Sequence, residues 1–268
     1  MNDSIRLEYN INDSCNLKCA GCATFSPLVK RGVYKSLNKI KDDFKRIYEL
    51  TENGKKIRII RIIGGEPLLH PDLNEALIYI STLFCNSEIH MFTNGILIPK
   101  MNLEFFEVLR KYITLLYVSV YPSNIDYNKI LQILDKNEIL YIRSQSYQEG
   151  VRSFFYQYLK EDYTEDYKSV YENCRHNNLY FLKDNKIYTC TQIAYFNYFD
   201  EEFKGEHTLK VTEEDYIDLN KINSFDELKE AKKKAPRFCG NCIGDGMKNK
   251  MREWKISQKD ISEWLDPN

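Results

Sequence analysis

Strand-like and helix-like stretches alternate along residues 1–143, and this rhythm constrains the fold more than any other feature of the sequence. Residues 57–63 are β-branched and nearly continuous, which is typical of a strand buried on both faces. The strand candidates are residues 5–11, 57–63, 88–92, 115–120 and 139–142, and the helix candidates are residues 37–51, 73–84, 103–112 and 127–135. Connections this short imply parallel strands joined by right-handed crossovers. We expect an α/β protein with an open or closed (β/α) barrel, and a flat doubly wound sheet is the alternative.

Three cysteines stand directly after the first strand candidate, at Cys15, Cys19 and Cys22. Thiolates at this spacing can reach three corners of one cubane iron–sulfur cluster, and they leave the fourth iron without a protein ligand. Since such clusters normally take four cysteines, an open iron indicates chemistry rather than structural support. The alternative is a zinc site with a fourth ligand from elsewhere in the chain.

The second strand candidate ends at Gly64-Gly65-Glu66-Pro67, on the face where β/α barrels carry their active sites. Two adjacent glycines remove the side chains that would keep a ligand away from the backbone. Glu66 then places a carboxylate where it can accept from a cationic amine, and Pro67 stiffens the turn. An ordinary tight turn with an exposed glutamate is the alternative.

Together, the cysteine loop and the Gly64–Pro67 segment resemble the radical S-adenosylmethionine (radical SAM) superfamily over residues 5–143. The resemblance implies that Cys15, Cys19 and Cys22 hold a [4Fe–4S] cluster whose open iron is chelated by the amino and carboxylate groups of SAM. It implies a partial (β/α)6-type barrel in which the Gly64–Pro67 segment contacts the SAM amino group.

The same resemblance extends to the ends of the third and fourth strand candidates. It implies that Thr93, Asn94 and Ser119 contact the SAM carboxylate or ribose. A one-electron reductant such as flavodoxin or ferredoxin is expected as a partner. Reductive cleavage of SAM then gives a 5′-deoxyadenosyl radical that removes a hydrogen atom from the substrate.

One position departs from the family pattern. The residue before the third cysteine is often aromatic and packs near the adenine, whereas here it is Gly21. We expect Phe25 or an apolar residue of the fifth strand, such as Ile142, to pack there instead.

A second group of cysteines lies in the C-terminal half, at Cys174, Cys190, Cys239 and Cys242. Four thiolates would close a site completely, which suits either Zn²⁺ or a second [4Fe–4S] cluster. A β-hairpin, predicted over residues 179–189, precedes a helical stretch and the Cys239-x2-Cys242 pair. This order resembles the shortened SPASM domain called twitch, as in deoxy-scyllo-inosamine dehydrogenase-type enzymes, and implies one auxiliary [4Fe–4S] cluster.

These patterns predict three parts of the chain. The barrel core spans residues 1–150, with about 170 as an alternative end, and the twitch-like part spans residues 171–250. Residues 251–268 are predicted to form a C-terminal tail helix. The C-terminal hydrophobic pattern is too broken for a core of its own, so we expect a small metal-stapled appendage.

Two further side chains are candidate catalytic residues. Arg143 ends the fifth strand candidate and could bind substrate oxygens or the SAM carboxylate, or could pair with a loop carboxylate instead. Tyr121 could point into the barrel and relay a proton, and a packing role is the alternative.

The composition argues against nucleic acid and membrane as partners. The net charge of −1 leaves no electrostatic footprint for nucleic acid. No apolar run approaches the ~20 residues that a membrane span needs. Neither a secretory signal nor a membrane anchor is expected, so a reducing cytoplasm is the predicted location.

The predicted function is a radical SAM oxidoreductase that acts on a small polar substrate of sugar or cyclitol type, with a two-electron oxidation assisted by the auxiliary cluster. A sugar epimerase or a peptide-modifying maturase is the alternative with the same cofactors. The first strand candidate begins near residue 5, which we expect to leave no room for a preceding peptide-recognition domain. A zinc-bound, non-catalytic interaction module is the alternative of another class.

Overall fold

A mixed eight-stranded sheet organises the chain in the computed structural model, which describes residues 4–30, 32–143, 153–244 and 251–266. The strands are β1 (Ile5–Asn12), β2 (Ile57–Gly64), β3 (Glu88–Thr93), β4 (Leu115–Val118), β5 (Tyr141–Arg143), β6 (Phe154–Tyr156), β7 (Leu159–Lys160), β8 (Leu179–Lys183), β9 (Lys186–Tyr188), β10 (Tyr216–Asp218), β11 (Met251–Glu253) and β12 (Leu265–Asp266). The helices are α1 (Leu37–Leu50), α2 (Leu73–Leu83), α3 (Leu103–Tyr112), α4 (Tyr127–Lys136), α5 (Tyr167–Glu172), α6 (Thr191–Glu202) and α7 (Phe225–Lys232).

The sheet order is β10-β9-β8-β1-β2-β3-β4-β5. Strands β1 to β5 and β8 pair in parallel, and β9 and β10 add antiparallel pairs at one edge. Because β5 is the opposite edge, the sheet is open rather than closed. The predicted α/β class, with parallel strands of a partial-barrel type, is confirmed.

One face of the sheet, which we call the helix face, packs against α1 to α4 and α7. Alternate residues of β1, Leu7, Tyr9 and Ile11, are fully buried there. They meet Phe44 and Ile47, which lie on one side of α1 because they are three residues apart. Side-chain caps mark the starts of α1, α3 and α4, as where Ser36 accepts from the Lys39 backbone N–H. Local periodicity and capping therefore account for the elements predicted in residues 1–143.

A second core covers the opposite face beside β8 and β9. Phe181 belongs to this core while its strand neighbours Tyr180 and Leu182 belong to the helix-face core, as strand alternation requires. Phe199 of α6 and Trp264 near the C-terminus complete it. Phe25 and Leu28 of the N-terminal part also belong to this core, so its apolar side chains come from segments far apart in sequence. That the C-terminal part lacks a core of its own stays a prediction.

The predicted hairpin is present, with Asp184 and Asn185 at its turn in the left-handed conformation, at φ 52° and 56°. It does not form a separate layer: β8 pairs with β1 and extends the barrel sheet. The division into a barrel core and a twitch-like part stays a prediction, and its boundaries at 150 and 250 lie outside the described residues.

The predicted C-terminal helix is wrong. Strand β11 pairs with β6, β12 pairs with β7, and a single 3-10 turn at Ile261–Glu263 lies between β11 and β12. Lys259 has φ 58°, which interrupts any helix through this segment. Pairing with distant strands satisfies the backbone of the tail, so a helix is not needed. Within the described ranges, no helix is both long and apolar enough to span a bilayer.

Candidate functional site

The first cysteine loop is held by the C-terminal tail. The Ala20 N–H donates to the Lys255 carbonyl at 3.0 Å, and the Ser257 N–H donates to the Lys18 carbonyl at 2.9 Å. These bonds flank Cys19, which forms a β-bridge with Ile256. The tail therefore fixes the loop that carries the three thiols, a contact for which the sequence carries no local signal.

Gly64 and Gly65 allow the end of β2 to approach this loop closely. A Cβ atom on Gly64 would lie 2.5 Å from the Asn12 carbonyl oxygen, and one on Gly65 would lie 2.2 Å from the Ser14 carbonyl oxygen. The Gly65 N–H donates to the Asn12 carbonyl at 2.6 Å. The glycines are thus required for backbone-to-backbone packing, and their partly exposed backbone can still meet a ligand.

Glu66 is fully buried and connects two strand ends. Its carboxylate accepts from the Thr93 hydroxyl at 2.6 Å, the Asn94 N–H at 2.8 Å and the Leu68 N–H at 3.0 Å. Burial raises the pKa of Glu66 to about 7, against the lowering effect of these hydrogen bonds. The predicted acceptance from a ligand amine does not fit this side chain, because both oxygens are engaged and shielded from solvent. Pro67 begins the buried turn that follows.

The end of β3 reaches the cysteine loop through Asn94. Its side-chain amide donates to the Asn16 side-chain oxygen at 2.7 Å and lies 3.7 Å from the Cys15 sulfur. The Ser119 N–H donates to the Thr93 carbonyl at 2.8 Å, which places the end of β4 alongside. The structure therefore brings Thr93, Asn94 and Ser119 together beside the loop.

The three loop thiols form one group. Burial raises the pKa of Cys15 well above its ordinary value, and the nearby Glu66, Cys22 and Cys19 add to the shift. The Leu17 N–H donates toward the Cys15 sulfur at 3.4 Å. Such N–H donors to sulfur are one of the features that tune iron–sulfur clusters. The residues present therefore fit a cluster held by three thiolates.

Phe155 of β6 occupies the space beside Gly21. A Cβ atom on Gly21 would lie 2.3 Å from the Phe155 ring, and Gly21 itself has φ 59°. Phe25, a predicted substitute for the missing aromatic, is instead buried between Phe199 and Trp264 in the second core. The aromatic neighbour of the loop thus comes from a distant strand, which sequence reasoning missed.

The four later cysteines line one cavity of about 210 Å³, although they come from three separate segments. Burial raises the pKa of Cys190 to about 12 and also raises the pKa of Cys239 and Cys242, with neighbouring thiols adding to the shifts. Cys190 stands at the N-cap of α6, where the Ile193 and Gln192 N–H groups lower its pKa. None of the eight cysteines forms a disulfide.

Across the described ranges, no three Cys, His, Asp or Glu side chains are arranged to hold a metal ion directly. The four thiols that line the cavity are of the residue type that holds either a zinc ion or a four-iron cluster.

The two predicted catalytic residues lie elsewhere. Arg143 is exposed, and β5 pairs it with Val118 of the helix-face core, so the register does not place it on the opposite face. The prediction that Arg143 faces the barrel mouth does not fit this register. Tyr121 is half-buried with its ring 5.7 Å from that of Trp254 in the tail, which favours packing.

Parts of this chain are similar in sequence to known proteins. A GTP 3′,8-cyclase of Clostridium acetobutylicum is 30% identical over 135 residues, which are 48% of this chain and 41% of that protein. The antilisterial bacteriocin subtilosin biosynthesis protein AlbA of Bacillus subtilis is 31% identical over 104 residues, 38% of this chain and 21% of that protein. The chain thus spans less than half the length of these relatives.

A solved structure matches over nearly the whole chain. The crystal structure of BtrN in complex with AdoMet and 2-DOIA covers 91% of this chain and 94% of that chain, with a TM-score of 0.53 and 14% identity, which shows a shared fold. The family model of the Radical SAM superfamily matches residues 9–175, more than half of the chain. With its cysteine loop and glycine-rich strand end side by side, this chain belongs to the radical SAM superfamily.

Proposed function

We propose that this radical SAM enzyme oxidises a small polar substrate of sugar or cyclitol type by two electrons, with help from an auxiliary [4Fe–4S] cluster. The observation that carries the proposal is the cavity into which Cys174, Cys190, Cys239 and Cys242 all project. The shared fold with BtrN, solved with AdoMet and 2-DOIA, supports the substrate class.

Cys15, Cys19 and Cys22 are the proposed ligands of the first cluster, and the four later cysteines are those of the second. When bound at these residues, the first cluster would supply the electron for SAM cleavage and the second would provide an acceptor for the electron that leaves the substrate. The net change is loss of one hydrogen atom from a substrate C–H bond to the 5′ carbon of SAM, then of one proton and one electron, which converts an alcohol to a carbonyl group.

The residues around the first cluster have defined tasks. Asn94 and the Leu17 N–H donate toward the Cys15 sulfur and orient it. The backbone of Gly64 and Gly65 is proposed to accept from the SAM amino group, because it is partly exposed beside the loop. Residues 255–257 pair with the backbone of the loop and hold it in place.

Anaerobic reconstitution tests the proposal. The purified chain should bind about eight irons, as expected for two four-iron clusters. After reduction it should release 5′-deoxyadenosine from SAM, and deuterium on the attacked substrate carbon should appear in that product. About four irons with zinc in the second site, or no 5′-deoxyadenosine, would contradict it.

Peptide modification is the second candidate, supported by the similarity to AlbA, a bacteriocin biosynthesis protein. The deuterium assay separates the two candidates. A labelled polyol panel should transfer deuterium under the leading proposal, whereas only a peptide substrate should do so under the second.

A further inference from the structure

Lys232, the last residue of α7, is a buried lysine beside the second group of cysteines. Only 6% of the residue is exposed. Its ammonium donates to the Asn177 carbonyl at 2.6 Å, the Tyr171 hydroxyl at 3.0 Å and the Thr189 hydroxyl at 3.2 Å. Three acceptors match the three N–H donors of a charged ammonium, so the geometry suits the cation.

Each acceptor belongs to a segment that carries a cavity cysteine. The Asn177 N–H donates to the Cys174 carbonyl at 3.0 Å. Thr189 lines the cavity and precedes Cys190 in the chain. Tyr171 packs with Cys239 in a small buried cluster. The ammonium is therefore fixed relative to three of the four proposed ligands.

Lys232 has no carboxylate partner among the described residues, since none of their ion pairs includes it. A buried charge without a counter-charge is costly to fold. Burial lowers the pKa of Lys232 to about 8, while the nearby Cys190, Cys239 and Cys174 act in the opposite direction. These cysteines become anionic when they bind a metal centre, so the cation is placed beside groups that carry negative charge in the loaded site.

Other charged groups face the cavity less directly. Arg175 lines it but is exposed, and burial lowers the pKa of His176 to about 4, so this imidazole is neutral at pH 7. Lys160 is near Cys242. The buried Asp215 carboxylate is near Cys239, and it accepts from the Phe238 N–H at 2.7 Å. Lys232 is the lysine that the fold buries beside the thiols.

We propose that Lys232 is a positioning residue that raises the reduction potential of the auxiliary cluster and so fits this cluster to accept an electron. The inference rests on the proposed function. Adding an electron makes a thiolate-ligated cluster more negative, and a fixed cation nearby stabilises that reduced state. Burial keeps the interaction from being screened by salt.

The test uses the full-length chain with Cys15, Cys19 and Cys22 all changed to Ala, so that only the auxiliary cluster remains. Its midpoint potential is measured anaerobically by redox titration with EPR detection. In this background, Lys232→Met should keep about four irons and shift the midpoint to a more negative potential. Lys233→Met removes the adjacent charge, on a side chain that is 73% exposed, and should leave the midpoint unchanged.

Lys232→Arg provides the second measurement, since it keeps the charge. If Lys232→Met loses iron while Lys232→Arg retains both iron and the parent potential, the charge is required and the inference stands. Loss of iron in both variants, or equal potentials in Lys232→Met and Lys233→Met, would overturn it. A triple-alanine background without iron would overturn the proposed function itself, so the two failures are distinguishable.

Discussion

The Trp264 indole N–H donates a hydrogen bond to the Cys22 carbonyl oxygen at 2.9 Å. The bond joins the C-terminal tail to the first cysteine loop across 242 residues of sequence. Trp264 is 1% exposed, and its ring packs against Phe25 and Phe203. The bond therefore holds the third proposed cluster ligand from inside the second core.

Trp264→Phe should keep most of this packing and leave the Cys22 carbonyl with one donor, the Phe25 N–H at 3.0 Å. Loss of one hydrogen bond costs about 0.5–1.5 kcal/mol, so we expect a lower Tm and faster loss of the first cluster in air. Trp254→Phe is the matched control, because the Trp254 indole N–H has no partner among the described residues. Equal losses in the two variants would show that the bond to Cys22 contributes nothing.

The raised pKa of Glu66 predicts a pH dependence. Its pKa is 4.5 in the unfolded reference and about 7 in the fold, so between these values the folded state binds a proton that the unfolded state does not. The free energy of unfolding of the wild type, relative to Glu66→Gln, should therefore fall as pH rises from 4.5 to 7, by up to about 3 kcal/mol. Urea titrations between pH 5 and pH 7.5 measure this difference. A difference independent of pH would mean that Glu66 titrates at its ordinary pKa.

Gly21 and Phe155 should be energetically coupled. Gly21→Ala introduces a Cβ atom that would lie 2.3 Å from the Phe155 ring, and it adds a strained positive φ, so we expect a loss of about 2–4 kcal/mol. In Phe155→Ala the ring is absent, and the nearest remaining atom is the Tyr156 carbonyl oxygen at 3.0 Å, so most of the clash is relieved. The double variant should therefore be more stable than the sum of the single changes predicts, as measured by urea unfolding. Additive changes would show that the two positions do not contact each other in solution.

Cys174→Ala separates the two proposed clusters. We expect the iron content to fall from about eight to about four per chain, while SAM cleavage continues and oxidised product is lost. Cys85→Ala is the control, because Cys85 is exposed and lies outside both cysteine groups. Normal product formation by a Cys174→Ala protein with four irons would leave the second cluster without a role in the oxidation.

The chemistry-bearing positions could be predicted because their signals are local. The spacing of Cys15, Cys19 and Cys22 and the adjacent Gly64 and Gly65 are short patterns after strand candidates, and parallel strands end on the same edge. The helix and strand positions in residues 1–143 follow from periodicities of 3.6 and 2 residues.

The side-chain roles were less predictable. Glu66 was predicted to accept from a ligand amine. Its carboxylate instead accepts hydrogen bonds from the Thr93 hydroxyl and the Asn94 N–H. Arg143 sits at the expected strand end, but the pairing of β5 with β4 turns it toward the helix face. A one-residue change of register moves a strand side chain to the other face of the sheet. The sequence of a three-residue strand does not determine its register.

The contacts of the C-terminal tail and of Lys232 could not be predicted from local sequence patterns. The amino-acid order alone contains the spacing of each cysteine group and the parallel α/β plan, because these depend on neighbours within a few residues. That Phe155 fills the place beside Gly21, that Trp264 secures Cys22, and that a helix-terminal lysine lies among thiols required the folded chain. Contacts between segments far apart in sequence arise from how whole strands and helices pack, and no local pattern specifies them.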